Sequence, residues 1–333
     1  MCYPNLDQRA NALITWLTAD LGLQILRIEP ASSDASFRRY FRVKHAEGCH
    51  VAMDAPPDKE NTAAFIRNAA LLQKAGLHVP AIYRQNLEQG FLLLEDLGSR
   101  SYLDVLKPDN ADALYRTALE SLFRLQRGIV PSRCGLPAYD KALLSRELAI
   151  FYEWFLEKRL GIVMPCAVRQ ILDDYLIDSA LQQPQVCVHR DYHSRNLMWL
   201  DQDSPGVIDF QDAVIGPVTY DLASLLRDCY IRWPRHQVAE WLEQYYQRLL
   251  ADRMLACDFR QFERWFDLMG LQRHLKAIGI FSRLQLRDGK PGYLADIPRT
   301  MSYVVDVCSR YPELAEFNGF LAHQVLPIYQ ARL

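Results

Sequence analysis

The sequence predicts an α+β fold: a small antiparallel sheet with one internal helix, then a larger, mostly helical part. Three observations carry this. Short β-prone runs joined by Gly-containing turns fill much of the N-terminal region. Apolar residues spaced three and four apart take over from about Ser101. A single polar break, residues 186–210, interrupts that helical pattern with short strands. A chain of 333 residues suffices for two lobes. The boundary falls in "EDLGSRS", where Gly98 and Ser99 break an apolar strand, giving lobes of residues 1–97 and 98–333.

In the first lobe, "NLDQRANALITWLTADLG" reads as a helix capped by Asn5 or Asp7 and stopped by Gly22. Residues 37–43 and 50–53 read as a hairpin around Glu47-Gly48, preceded by a loop of small residues. Residues 59–75 form an amphipathic helix ended by Gly76, and "AIYRQNLEQGFLLLEDLG" supplies two further strands around Gln89-Gly90. In the second lobe, helices are expected over 109–128, 141–160, 166–182, 220–231, 235–250 and 258–287. In the last, Phe262, Trp265, Phe266 and Met269 recur at helical spacing, as core residues do. The break, "QVCVHRDYHSRNLMWLDQDSPGVIDF", reads as strand, polar loop, short strand, turn at Ser204-Pro205-Gly206, and short strand.

With 38 basic and 40 acidic residues, the chain carries no electrostatic footprint for nucleic acid. It has no apolar run of membrane-spanning length and no signal peptide, so a cytoplasmic protein without membrane or obligate protein partner is expected. The eight Cys are scattered with no C-x-x-C pair, which points to reduced, mostly buried thiols and no zinc site.

The chemistry concentrates in the polar break. Asp191 and Asn196 lie five apart in the loop, and Asp209 ends the next strand. One neutral and one anionic oxygen ligand suit Mg²⁺, which completes its shell with phosphate and water. A further carboxylate can accept the proton of a hydroxyl nucleophile. Asp, Asn and Asp in this order are what a kinase active site needs.

"HRDYHSRN" matches the H-x-D-x-x-x-x-N catalytic loop of protein-kinase-like phosphotransferases, and "IDF" matches the metal-binding segment that follows. "GPVTYDLASLLRD" resembles the aminoglycoside-phosphotransferase superfamily rather than protein kinases, because Asp209 to Asp221 leaves no room for an activation segment. Seven blocks in order, "SSDASFRRYFR", "MDAPP", "FLLLEDLG", "VHRDYHSRNLM", "DFQDAVIGPVTYDLASLLRD", "LQRHLKAIGIF" and "YLADIPR", narrow the resemblance to the bacterial anomeric kinases of N-acetylmuramate and N-acetylglucosamine. It covers nearly the whole chain. It implies a bilobal protein-kinase-like fold, ATP and Mg²⁺ as cofactors, and an amino sugar phosphorylated on its 1-hydroxyl for cell-wall recycling.

The resemblance also implies roles. Asp191 is the base, Asn196 and Asp209 hold Mg²⁺, His189 and Arg190 shape the loop, and Asp221 fixes it by hydrogen bonds. The adenine edge bonds to backbone around Glu95, Asp96 and Leu97. The phosphates lie under the turn 32–37, where Ser32, Ser33 and Ser36 replace the usual glycines. A kinase normally pairs a strand Lys with a helix Glu. Here Met53 and Asp54 stand in the Lys region, and Arg67 and Asn68 where the Glu is sought. Transfer still requires positive charge at the phosphates. Among Arg38, Arg39 and Arg42, with Arg38 and Arg42 on one face by strand alternation, Arg38 is favoured. His193, Asp212, Glu153, Trp154 and Arg232 are the candidates for binding the acceptor. Two alternatives stay open: a kinase of another small hydroxyl compound, such as an aminoglycoside or amino alcohol, and a nucleotide-binding pseudokinase, suggested by the missing Lys–Glu pair.

Overall fold

The computed structural model describes residues 7–32 and 37–332. Contacts divide the chain into two compact units, Met1–Val105 with Leu197–Gln211, and Leu106–Asn196 with Asp212–Leu333. Among the described residues, no helix is long and apolar enough to cross a membrane.

The first unit opens with helix α1 (Gln8–Thr15). The Asp7 side chain caps it, accepting from the Ala10 N–H at 2.9 Å. Five antiparallel strands follow: β1 (Ile25–Ser32), β2 (Arg39–His45), β3 (Gly48–Asp54), β4 (Ile82–Asn86) and β5 (Phe91–Glu95), in the order β1-β2-β3-β5-β4. Between β3 and β4 runs helix α2 (Thr62–Lys74), capped by Asn61. Ala10, Leu13, Trp16 and Leu17 pack on one sheet face, against Phe41, Val43, Ala52, Phe91 and Leu93. The alternate residues Met53, Leu92 and Leu94 are buried as well, which explains why β5 is apolar without alternation. Strand β1 is absent from the sequence reading. Pro30 lies inside it, and proline demotes a run to an edge strand, the position β1 occupies. Gly90 makes the β4–β5 turn at φ +74°, where an added Cβ would lie 1.9 Å from the Ala55 carbonyl oxygen.

The returning segment Leu197–Gln211 completes this unit. Its two-residue strands Leu197–Met198 and Gly206–Val207 pair with each other. Val207 N–H donates to the His78 carbonyl at 2.7 Å, and Trp199 N–H to that of Arg100 at 2.8 Å. At Gly206, an added Cβ would sit 2.8 Å from Leu97 Cδ1.

The second unit is helical around Phe259–Leu286, which is buried on all sides from Trp265 to Lys276. Its buried residues include Phe262, Phe266 and Leu271 but also Asp267, Gln272, Arg273, His274 and Lys276. Helices Ala111–Gly128, Cys166–Leu181, Arg235–Ala251 and Ile297–Arg310 fall close to expectation or beyond the regions read. Helix Lys141–Ile150 continues as the π-helical segment Phe151–Leu160, which Gly161 ends at φ 70°. The helix expected over 220–231 stops at Leu226. The Asp228 carboxylate accepts from the Tyr230 N–H at 2.8 Å, offering the backbone a turn instead of a further helical step. Strand Gln185–Val188 pairs antiparallel with Val214–Pro217. The cysteines among the described residues are free, but only Cys187, Cys229 and Cys308 are buried, so the expectation of mostly buried thiols does not hold.

Helix Phe259–Leu286 approaches its neighbour most closely at Gly279, where an added Cβ would lie 2.6 Å from the Ile150 backbone. Backbone cannot yield as a side-chain tip can. Gly279→Ala should therefore destabilise the protein by about 1–3 kcal/mol, as overpacking does, read as a lower midpoint in urea unfolding.

Candidate active site

Strand Gln185–Val188 delivers a loop that begins at His189, which is fully buried. Both oxygens of the buried Asp221 carboxylate grip its start. His189 N–H donates to Oδ2 at 2.6 Å and Arg190 N–H to Oδ1 at 2.9 Å, while Arg190 takes the left-handed φ of 79°. Burial pushes the Asp221 carboxyl up to about 6, against the pull of His189 and these two donors. Arg190 then turns its guanidinium onto buried Glu147, which also takes Lys276 Nζ at 2.8 Å and the Tyr139 hydroxyl.

Asp191 sits in the field of these cations. Burial alone would raise its pKa, yet the attraction of Lys276 foremost, with Arg273 and Arg190, holds the carboxyl at about 2. A carboxylate this firmly ionised can take a proton only from a group that gives it up in the same step. His193 N–H and Asn196 Nδ2 both donate to the Asp191 carbonyl, at 3.1 and 3.0 Å, closing the loop into one turn. Burial pushes the His193 imidazole down to about 4, so it is neutral at pH 7. The Asn196 amide nitrogen is thus directed at the Asp191 carbonyl.

Asp209 lies in the first unit at a left-handed φ of 66°, with Gln211 Nε2 donating to its Oδ1 at 2.8 Å. Helix α2 holds this segment. Buried Asn68 donates to the Phe210 and Gln211 carbonyls at 3.3 and 2.9 Å, and the Phe65 and Phe210 rings meet at 4.8 Å. Asn68, where a kinase Glu was sought, is therefore a backbone anchor. The Asp209 carboxylate is a hard oxygen donor, of the kind Mg²⁺ takes.

Met53 is fully buried and Asp54 beside it is held by Arg9 at 2.9 Å and Arg39 at 3.0 Å. Arg42 forms a two-point pair with Asp96 at 2.8 and 2.9 Å. Arg38 lies 3.4 Å from Glu60, whose other oxygen accepts from Phe37 N–H at 3.1 Å. This cation–Glu pair lies beside Phe37. Ser33 and Ser36 lie outside the described residues, and Ser32 ends β1. Glu95 accepts from His78 and from the Ala81 N–H, both at 3.2 Å, and Leu97 is buried.

Of the acceptor candidates, only His193 belongs to the catalytic turn. The Asp212 side chain is exposed. Glu153 pairs with Lys158 at 2.5 Å, and Lys158 lies 3.6 Å from the centre of the Trp154 ring. Arg232 bonds Ser302 at 2.8 Å and stacks on Tyr303. The sequence reading missed Glu147, Lys276, Arg273 and Asp228. The last accepts from both the N–H and the hydroxyl of Ser194 and so anchors the loop from outside.

The profile of the phosphotransferase enzyme family matches residues 27–258. The N-acetylmuramate/N-acetylglucosamine kinase of Pseudomonas putida is 47% identical over 96% of this chain and 97% of its own. That of Pseudomonas aeruginosa is 50% identical over 88% and 87%. A choline kinase from Streptococcus pneumoniae superposes with a TM-score of 0.65 at 13% identity, over 90% of this chain and 100% of that one, so the fold is the protein-kinase-like one.

Two outcomes follow from the geometry. Lys276→Met removes the leading attraction on Asp191, so the acid limb of the pH profile of kcat/KM should move to higher pH. An unmoved limb would mean that Lys276 does not tune this carboxylate. Asp221→Ala orphans two buried N–H donors, at roughly 1–3 kcal/mol each, and should lower both the melting temperature and kcat.

Proposed function

The chain belongs to the phosphotransferase enzyme family, and on that premise we propose that it transfers the γ-phosphoryl group of Mg-ATP to the anomeric 1-hydroxyl of N-acetylmuramate and N-acetylglucosamine. The products are sugar 1-phosphates, which feed peptidoglycan recycling in the cytoplasm. The observation that carries the substrate assignment is the 47% identity, along nearly the full length of both chains, with a relative named for both sugars.

The reaction is a direct in-line displacement. Asp191 accepts the proton of the 1-hydroxyl as that oxygen attacks the γ-phosphorus, and the bond to the ADP oxygen breaks. Asn196 and Asp209 would hold Mg²⁺, whose charge would offset that of the phosphates. Asp221 and Asn68 hold the backbone that carries these groups, and Glu147 holds the Arg190 guanidinium. Arg38, paired with Glu60 at 3.4 Å, supplies the positive charge that Met53 cannot. Glu95 and Leu97 offer backbone to the adenine edge.

The protein with Mg-ATP, given N-acetylmuramate, N-acetylglucosamine or kanamycin separately, tests this by phosphorus and proton NMR. The expected signal is a phosphorus coupled to the anomeric proton of each sugar. Phosphorylated kanamycin with untouched sugars would overturn the assignment. Asp191→Asn should lower kcat roughly 100- to 10,000-fold while ATP still binds. Asp209→Ala should weaken nucleotide binding in the presence of Mg²⁺ and leave the Mg²⁺-free affinity close to wild type.

A further inference from the structure

The two proposed substrates differ at one position. N-acetylmuramate carries a lactyl ether with a carboxylate where N-acetylglucosamine has a hydroxyl. An enzyme that takes both faces a physical constraint. A cation buried for the carboxylate would stand desolvated and unpaired whenever the neutral sugar binds, a costly state. The cation that reads the carboxylate must therefore stay hydrated when it is not engaged, and must be held in place by something other than a close carboxylate.

We propose that Arg195 is this cation and reads the lactyl carboxylate of N-acetylmuramate. The inference rests on the function proposed above. Arg195 lies in the catalytic turn, four residues after Asp191, a span of at most about 14 Å even when extended. Its side chain is 39% exposed. The guanidinium carbon sits 3.7 Å from the centre of the Tyr230 ring and 5.5 Å from that of Tyr293, so aromatic faces position it. Its nearest carboxylate is Asp296 at 3.9 Å, which also serves Arg299 at 2.9 Å. One acidic group between two guanidinium groups leaves a surplus positive charge.

The cradle is fixed to the catalytic loop. Buried Asp228 accepts from Ser194 on one oxygen and from the Tyr230 N–H on the other. The residue before Arg195 and the ring beneath it thus share one anchor. Tyr230 also stands edge-on to His193 at 5.2 Å. Arg190 is engaged by Glu147 and Arg227 by Asp267, while Arg273 is buried and makes only a 3.9 Å contact to Cys229 Sγ among the described residues. Arg232, on Ser302 and Tyr303, is the rival.

The test compares kcat/KM for the two sugars in wild type, Arg195→Met, Arg195→Lys and Arg232→Met. The expected result is a drop of roughly tenfold or more in the N-acetylmuramate to N-acetylglucosamine ratio for Arg195→Met, the size of a lost charge-assisted hydrogen bond. Arg195→Lys should recover part of it, and Arg232→Met should leave the ratio near wild type. An equal loss on both sugars, an unchanged ratio, or a drop confined to Arg232→Met would each overturn the proposal. A wild-type protein that phosphorylates neither sugar would instead remove the functional reading beneath it.

Discussion

The catalytic turn rests on one buried carboxylate. Glu147 lies almost wholly out of water and draws in Arg190, Lys276 and the Tyr139 hydroxyl. Burial would raise its pKa, but Lys276 and Arg190 win and keep it ionised. Two cations meet one carboxylate there, and the charge left over falls on Asp191. The proposed base is thus ionised because the network around it is one negative charge short. Catalytic competence and structural neutrality are then the same requirement, met by the same side chain.

A second carboxylate works on the backbone. Asp221 satisfies two consecutive N–H groups and holds Arg190 in a left-handed conformation that costs a non-glycine residue energy. Asp228 does the same for Ser194 and Tyr230. Buried Tyr192 anchors the loop in the core, and carboxylates reaching in from elsewhere in the unit set its backbone. The arrangement keeps Asp191, Arg195 and Asn196 on one turn, with the proposed base and the proposed carboxylate reader four residues apart.

Much of the fold was legible because its signals are local. Gly22, Gly76 and Gly161 end helices where their positive φ allows. Asp7, Asn61, Asp140 and Asp258 cap them. Strand β1 was lost because Pro30 breaks the pattern without breaking the edge. The motif residues of the site were legible through their spacing, but their supports were not. Glu147 and Lys276 carry no motif signal on their helices, and only tertiary packing shows that Glu147 meets both Lys276 and Arg190. Position 195 falls on an unspecified residue of the H-x-D-x-x-x-x-N pattern, so the motif is silent on it. Strand alternation places Arg38 with Arg42 but cannot show that Arg38 meets Glu60, which falls inside the helix expected over 59–75 and lies ahead of α2 in the structure.

The first unit is discontinuous in sequence, since Leu197–Gln211 belongs to it. Synthesis runs from the N-terminus, and domains tend to fold as they emerge. Here the sheet leaves the ribosome long before the segment that covers Leu97 with Gly206 and caps Phe65 with Phe210. Asn68 likewise waits for the two carbonyls it will anchor. The nascent sheet therefore carries open apolar surface, with the Asn68 amide bonded to water, until residue 211 is out. For this chain the order of manufacture and the order of assembly differ.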